Sequence, residues 1–117
     1  MTDSSLSQLS SEIKKFNKDR DWEQFHTPKN LASAVVVEAS ELLEHFLWTK
    51  DKDTQAFDQK KLGEIKEEVG DVLICLVNFA DKLGIDLIEA AQQKLIKNGK
   101  NYPIEKSKGS SKRHTEL

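Results

Sequence analysis

Glu38 and Glu41 stand three residues apart, and Glu68 and Asp71 repeat that spacing further along the chain. On an α-helix an i, i+3 pair lies one turn apart on one face, so each pair can aim its carboxylates at a common point. Both pairs border apolar positions: Val35, Ala39, Leu42 and Phe46 near the first, Ile65, Val69, Val72 and Phe79 near the second. Four residues after each acid stand Leu42, His45, Val72 and Cys75, so no lysine or arginine is placed there to form a local ion pair. Two readings fit these residues. Acids on a solvated helix face are ordinary in a chain that is 32% charged. Carboxylates converging at the edge of a helical core instead repel and lose hydration, and a hard divalent cation with oxygen ligands relieves both costs. An all-oxygen donor set favours Mg²⁺, with Mn²⁺ as a substitute, over zinc or iron. A di-iron bundle would place Glu-x-x-His pairs on two helices, and the segment around Glu68 contains no histidine. Mg²⁺ is usually held by a few carboxylates together with substrate phosphates, so this set points to a phosphorylated ligand.

The elements that would hold these acids read as helices. Prolines are confined to Pro28 and Pro103, glycines are sparse, and no segment alternates with period two. A first helix is expected from Ser5 to Asp19, with Leu6, Leu9, Ile13 and Phe16 forming its stripe. The loop Asp21-Trp-Glu-Gln-Phe-His26 follows. Thr27 reads as an N-cap with Pro28 at the first helical position, opening a second helix to Trp48. A polar linker spans 49–58. The third helix runs from Gln59 to Leu83 and ends on Gly84; its expected core stripe is Ile65, Val69, Val72, Leu76, Phe79, Ala80 and Leu83. A fourth runs from Asp86 to Lys97. The fold class is therefore all-α, an antiparallel four-helix bundle whose broadly apolar helices call for a partner copy. Residues 1–103 form the domain, and 104–117 a flexible charged tail.

The 117 residues suffice for one domain, with 18 basic against 20 acidic side chains and a net charge of −2. That balance lacks the positive excess on which nonspecific nucleic-acid or anionic-membrane binding relies. Cys75 is the one cysteine, which fits a reducing compartment. No apolar run approaches a membrane span, since Val72 to Val77 is interrupted by Asn78, and the first residues lack the pattern of a secretory signal. A cytoplasmic location is expected.

Glu38-x-x-Glu41 followed by Glu68-x-x-Asp71 resembles the E-x-x-E…E-x-x-D signature of the MazG-like all-α nucleoside triphosphate pyrophosphohydrolases, above all the dCTP pyrophosphatase branch. The likeness includes Arg20-Asp-Trp-Glu-Gln-Phe-His26, Pro28-Lys-Asn-Leu31, Phe46-Leu-Trp48, Asp71-Val-Leu-Ile74, and Asn98 with Tyr102-Pro103. The resemblance implies Mg²⁺-dependent hydrolysis of a nucleoside triphosphate, dCTP-like or noncanonical, to monophosphate and pyrophosphate, as clearance of the nucleotide pool. It implies a homo-oligomer, a dimer or a dimer of dimers, with sites at helix–helix interfaces. By carry-over, Glu38, Glu41, Glu68 and Asp71 are the metal-binding and catalytic residues. Trp22, Phe25, His26 and Trp48 offer flat faces on which a base can stack, and Lys29 begins a helix whose amides favour anions. Lys94, Lys97, Asn98 and Tyr102 would grip the triphosphate; without the resemblance, the lysines would simply complement a helix C-terminus. Two positions depart from the branch: Ile13 stands where some members carry a base-facing histidine, and Cys75 where some carry a tyrosine. The rival readings are a noncatalytic helical interaction or regulatory module, and a hydrolase of another pyrophosphate ester such as a phosphoribosyl-nucleotide.

Overall fold

The computed structural model of the chain describes residues 5–50 and 57–117. Five α-helices and two short 3-10 turns, and no strand, occur among these residues: α1 (Leu6–Asp19), α2 (Pro28–Glu44), α3 (Gln59–Leu83), α4 (Leu87–Asn101) and the one-turn α5 (Ile104–Ser107). The all-α expectation holds. Most of the linker expected over 49–58 lies outside the described residues, as do the first four residues on which the reading of a missing secretory signal rests.

Local chemistry sets the ends. Ser5, Thr27, Asp58 and Asp86 each accept a hydrogen bond from the backbone N–H three residues on, capping α1 to α4. Pro28 occupies the first turn of α2, where no N–H is missed. Gly84 closes α3 in the left-handed region at φ 66°. Two ends differ from expectation. α2 stops at Glu44 rather than Trp48, because the backbone tightens into i, i+3 bonds from His45 to Leu42 and from Phe46 to Leu43. That turn carries the Phe46 ring into an edge-on contact with Phe57, 5.5 Å between centroids, at the threshold of α3. α4 continues past Gly99 to Asn101; Tyr102, pushed out of helical geometry by Pro103, ends it.

The chain divides into two compact units, residues 1–84 and 85–117. In the first, α2 packs along α3, and α1 rests on α3. Leu31 and Val77 border one cavity, and Glu41 approaches Glu68, so α2 and α3 run antiparallel. Among the described residues, the buried apolar side chains are Ile13, Leu31, Val77 and Ala80. This core lies on a narrower face of α3 than the expected stripe. Val69, Leu76 and Leu83 are exposed, as are Val36, Leu43 and Leu47 around α2. In the second unit, Ile88, Leu95, Ile96 and Ile104 are exposed as well. Within 104–117 lie α5 and a 3-10 turn, His114–Glu116, and the His114 ring meets Tyr102 edge-on at 5.5 Å. No described helix is long and apolar enough to cross a membrane.

Gly84→Ala should lower the urea-unfolding free energy by about 1 kcal/mol, because a Cβ is strained in the left-handed region. Asn at that position should cost less, and equal stability of the alanine variant would refute the capping role.

Candidate active site

Pro28–Glu44 forms one continuous helix because a proline-led start capped by Thr27 is followed by an uninterrupted run of helix-compatible residues. That continuity puts Glu38 and Glu41 on one face, turned toward α3. Glu68 reaches them from the facing helix. Carboxylate oxygens of Glu38, Glu41 and Glu68 all lie within 4.8 Å of one another, and all three residues are half-buried. The Oε2 atoms of Glu38 and Glu68 are inaccessible to solvent yet have no hydrogen-bond partner. Unpaired buried carboxylate oxygens are costly, and here two of them sit in one cluster.

Electrostatics point the same way. Burial first, and then a hydrogen-bonding contact with Glu41 and the charges of Glu41, Asp71 and Glu68, push the Glu38 carboxyl above the usual carboxylate range. Glu68 is also raised, chiefly by burial and then by the charges of Glu41 and Asp71, while His45 pulls in the opposite direction. Asp71 stands outside the tight trio and is exposed, one turn beyond Glu68, but its charge acts on both raised acids. No Lys or Arg forms an ion pair with these acids among the described residues; the one ion pair found there joins Lys15 to Asp19. A hard cation fits this donor set, because it would satisfy the orphaned oxygens and offset the mutual repulsion. His45, folded back after α2, stands close enough for its charge to act on Glu68.

Beside the acids opens a cavity of about 450 Å³ between α1, α2 and α3. Its walls include Ile13, Phe16, Trp22, Leu31, Ala34, Ile74 and Cys75, with Glu12, Asn17, His26, Asn30 and Asn78 as polar members. Ala34 is one turn before Glu38 and Cys75 one turn after Asp71, so the cavity runs toward the acidic trio. Burial, and then the charges of Glu38 and Asp71, push the Cys75 thiol up, which gives that proximity an electrostatic signature. Trp22 is held by local geometry. Asp21 adopts the left-handed conformation at φ 54°, and the chain doubles back so that the Trp22 N–H donates to the Asn17 carbonyl at 3.0 Å. The indole meets Phe16 edge-on at 5.5 Å, and Arg20 lies 3.6 Å from the centre of the Phe16 ring.

The expected site residues are distributed unevenly. Glu38, Glu41 and Glu68 converge, with Asp71 alongside, and Trp22 and His26 line the cavity. Phe25 is 61% exposed and outside the lining; its carbonyl accepts from the Asn30 side chain. Trp48 is 95% exposed beyond the end of α2, and Lys29 is exposed on its first turn. Lys94, Lys97, Asn98 and Tyr102 belong to the second unit; the two lysines and Asn98 share one face of α4 by their spacing. Asn17 and Asn78 were not expected in the cavity wall. Their signal was an amide at an apolar position: Asn17 is four residues after Ile13, and Asn78 breaks the run from Val72.

With the geometry in hand, comparison with known proteins is informative. The sequence pattern of the MazG-like family matches residues 34–117. Mouse and human proteins named dCTP pyrophosphatase 1 are 42% and 40% identical over 104 residues, 87% of this chain. The chain spans 61% of the length of each of those two relatives. A solved structure of a pyrophosphatase from Archaeoglobus fulgidus superposes with a TM-score of 0.76 at 37% identity, covering 88% of this chain and 96% of the other.

The two raised acids yield a prediction. Glu38 and Glu68 bind a proton more tightly folded than unfolded. Their contribution therefore favours the metal-free fold below the ordinary carboxylate range, and is lost as pH rises through their raised values. Glu68→Gln should raise the Tm of the metal-free protein at neutral pH and flatten this part of its pH dependence. A lower Tm there would show that the carboxylates do not oppose folding.

Proposed function

The chain belongs to the MazG-like family, and from that membership we propose that it is a Mg²⁺-dependent nucleoside triphosphate pyrophosphohydrolase. It would convert a deoxynucleoside triphosphate, dCTP-like or noncanonical, to the monophosphate and pyrophosphate, clearing unwanted nucleotides in the cytoplasm. The single observation that carries this reading is the trio Glu38, Glu41 and Glu68, with two orphaned oxygens. The names of the mouse, human and archaeal relatives support the same reaction class.

Each part of the chain then has a chemical role. Glu38, Glu41 and Glu68 would hold the metal, with Asp71 completing the set. When bound, Mg²⁺ supplies charge neutralisation for the phosphates and acidifies water. One carboxylate of the set would accept the proton of the attacking water. Trp22 and His26 present faces to the base. Phe25 and Trp48, exposed in a single chain, would reach a base only from a neighbouring copy or after a rearrangement of the loop. Lys29 and the α4 group Lys94, Lys97 and Asn98, with Tyr102, would take the phosphates, and 104–117 would serve as a charged tail to the 1–103 domain.

A homo-oligomer follows from the small core. Only four apolar side chains are buried among the described residues, whereas Val36, Val69, Leu76 and Leu83 stand open to water. Covering such surface with a second copy is its natural resolution.

Pyrophosphate release from a deoxynucleoside triphosphate panel should require Mg²⁺ and stop with a chelator. Glu41→Gln should lower kcat/KM by about 100-fold or more, since even partners that merely orient metal ligands are worth 10–100-fold. Sedimentation should show a dimer or tetramer. Metal-independent release, or full activity in Glu41→Gln, would refute the assignment and favour a noncatalytic helical module.

A further inference from the structure

The 450 Å³ cavity has a mostly apolar wall, and a pair of hydrogen-bonded amides is part of it. Asn17, on α1, is only 7% exposed, and its Nδ2 donates to Oδ1 of Asn78, on α3, at 2.8 Å. That bond is one of the four that each amide can make. The Asn17 Oδ1 and the Asn78 Nδ2 have no partner among the described residues. Turning both amides by half a rotation exchanges the roles without loss, because Asn78 then donates to Asn17. In either state the pair leaves one acceptor and one donor, side by side. The same pair also borders a second cavity of about 250 Å³, lined in part by Lys14, Asp81 and Lys82. The larger cavity differs in having Trp22 on its wall, with Ala34 and Cys75, each one turn from an acid of the cluster, among its lining.

We propose that the Asn17–Asn78 pair reads the polar edge of a nucleobase lodged in the larger cavity, and that it accepts amino-edged and keto-edged bases alike. The inference rests on the nucleotide reading given above and deepens it by naming what sets base preference. A base edge offers an adjacent donor and acceptor: in cytosine the 4-amino group and N3, in uracil or thymine N3–H and a carbonyl. A rigid reader would match one order and leave buried groups unpaired against the other. The reversible amide pair matches both orders. Tolerance is anchored because Asn17 is pinned twice: by its side chain to α3, and by its carbonyl, which accepts from Arg20 and Trp22. The aromatic wall and the edge reader therefore move as one piece.

The test compares dCTP with dUTP as substrates, and dCMP with dUMP as ligands by calorimetry, in the wild type, Asn78→Asp and Asn78→Leu. The wild type should turn over dCTP and dUTP with kcat/KM values within about threefold of each other. Asn78→Asp keeps the bond from the Asn17 Nδ2 but leaves two acceptors. With no donor left beside the acceptor, it should weaken dCTP and dUTP alike, about tenfold each and through KM, and weaken dCMP and dUMP to the same degree. Asn78→Leu, with helical content checked by circular dichroism, should weaken both substrates about tenfold, through KM rather than kcat. Unchanged KM values and monophosphate affinities in Asn78→Asp overturn the proposal while leaving the hydrolase reading intact. Monophosphate affinities that weaken in Asn78→Asp and Asn78→Leu without any hydrolysis in the wild type support the reader and overturn the hydrolase reading. Absence of both hydrolysis and binding overturns both.

Discussion

Carboxylates that cannot comfortably coexist organise this molecule. Glu38, Glu41 and Glu68 are held within 4.8 Å, two of their oxygens lack partners, and no lysine or arginine neutralises them in the described structure. An arrangement of this kind costs stability in the empty protein and is repaid only by a ligand of opposite charge. The antiparallel packing of α2 on α3 imposes the proximity, and the apolar contacts of Leu31, Val77 and Ala80 hold the helices in that register. A functional site built against folding has to be supported by packing nearby, and here the supporting core is small.

That small core links the site to assembly. Apolar positions around α2 and α3 face outward in the single chain, although their sequence pattern belongs to buried helices. The proposed oligomer would resolve this conflict and also bring further groups toward the acids. Lys29, Trp48 and the α4 lysines are otherwise polar or aromatic groups on open surface. The cavity is independent of that question, since α1, α2 and α3 of one chain enclose it.

The division of labour between the acids and the cavity is the feature most specific to this chain. The acids form one cluster, and Trp22 and an amide pair belong to the cavity wall beside it. Ile13 and Cys75, which replace the histidine and tyrosine of some relatives in the resemblance drawn from sequence, make the wall apolar. Polar side chains in that wall include Asn17 and Asn78, which join α1 to α3 by a hydrogen bond.

Much was legible beforehand because it depends on short-range chemistry. Helix type, the caps at Thr27 and Gly84, the whole of α3 and the shared face of Glu38 and Glu41 all follow from residue spacing and backbone preference. The acidic signature and the Asp-Trp-Glu-Gln-Phe run also carried the family relationship. What needed the tertiary structure was everything set by which helix faces which. Helical periodicity identified a broad apolar stripe on α3, but only packing selected Val77 and Ala80 as its buried part. The early end of α2 answers to a ring contact between Phe46 and Phe57, across a segment whose length no local rule encodes. The pairing of Asn17 with Asn78 joins residues 61 apart in sequence. A hydrogen bond of that kind exists only once two helices have met, so no periodicity within either one could announce it.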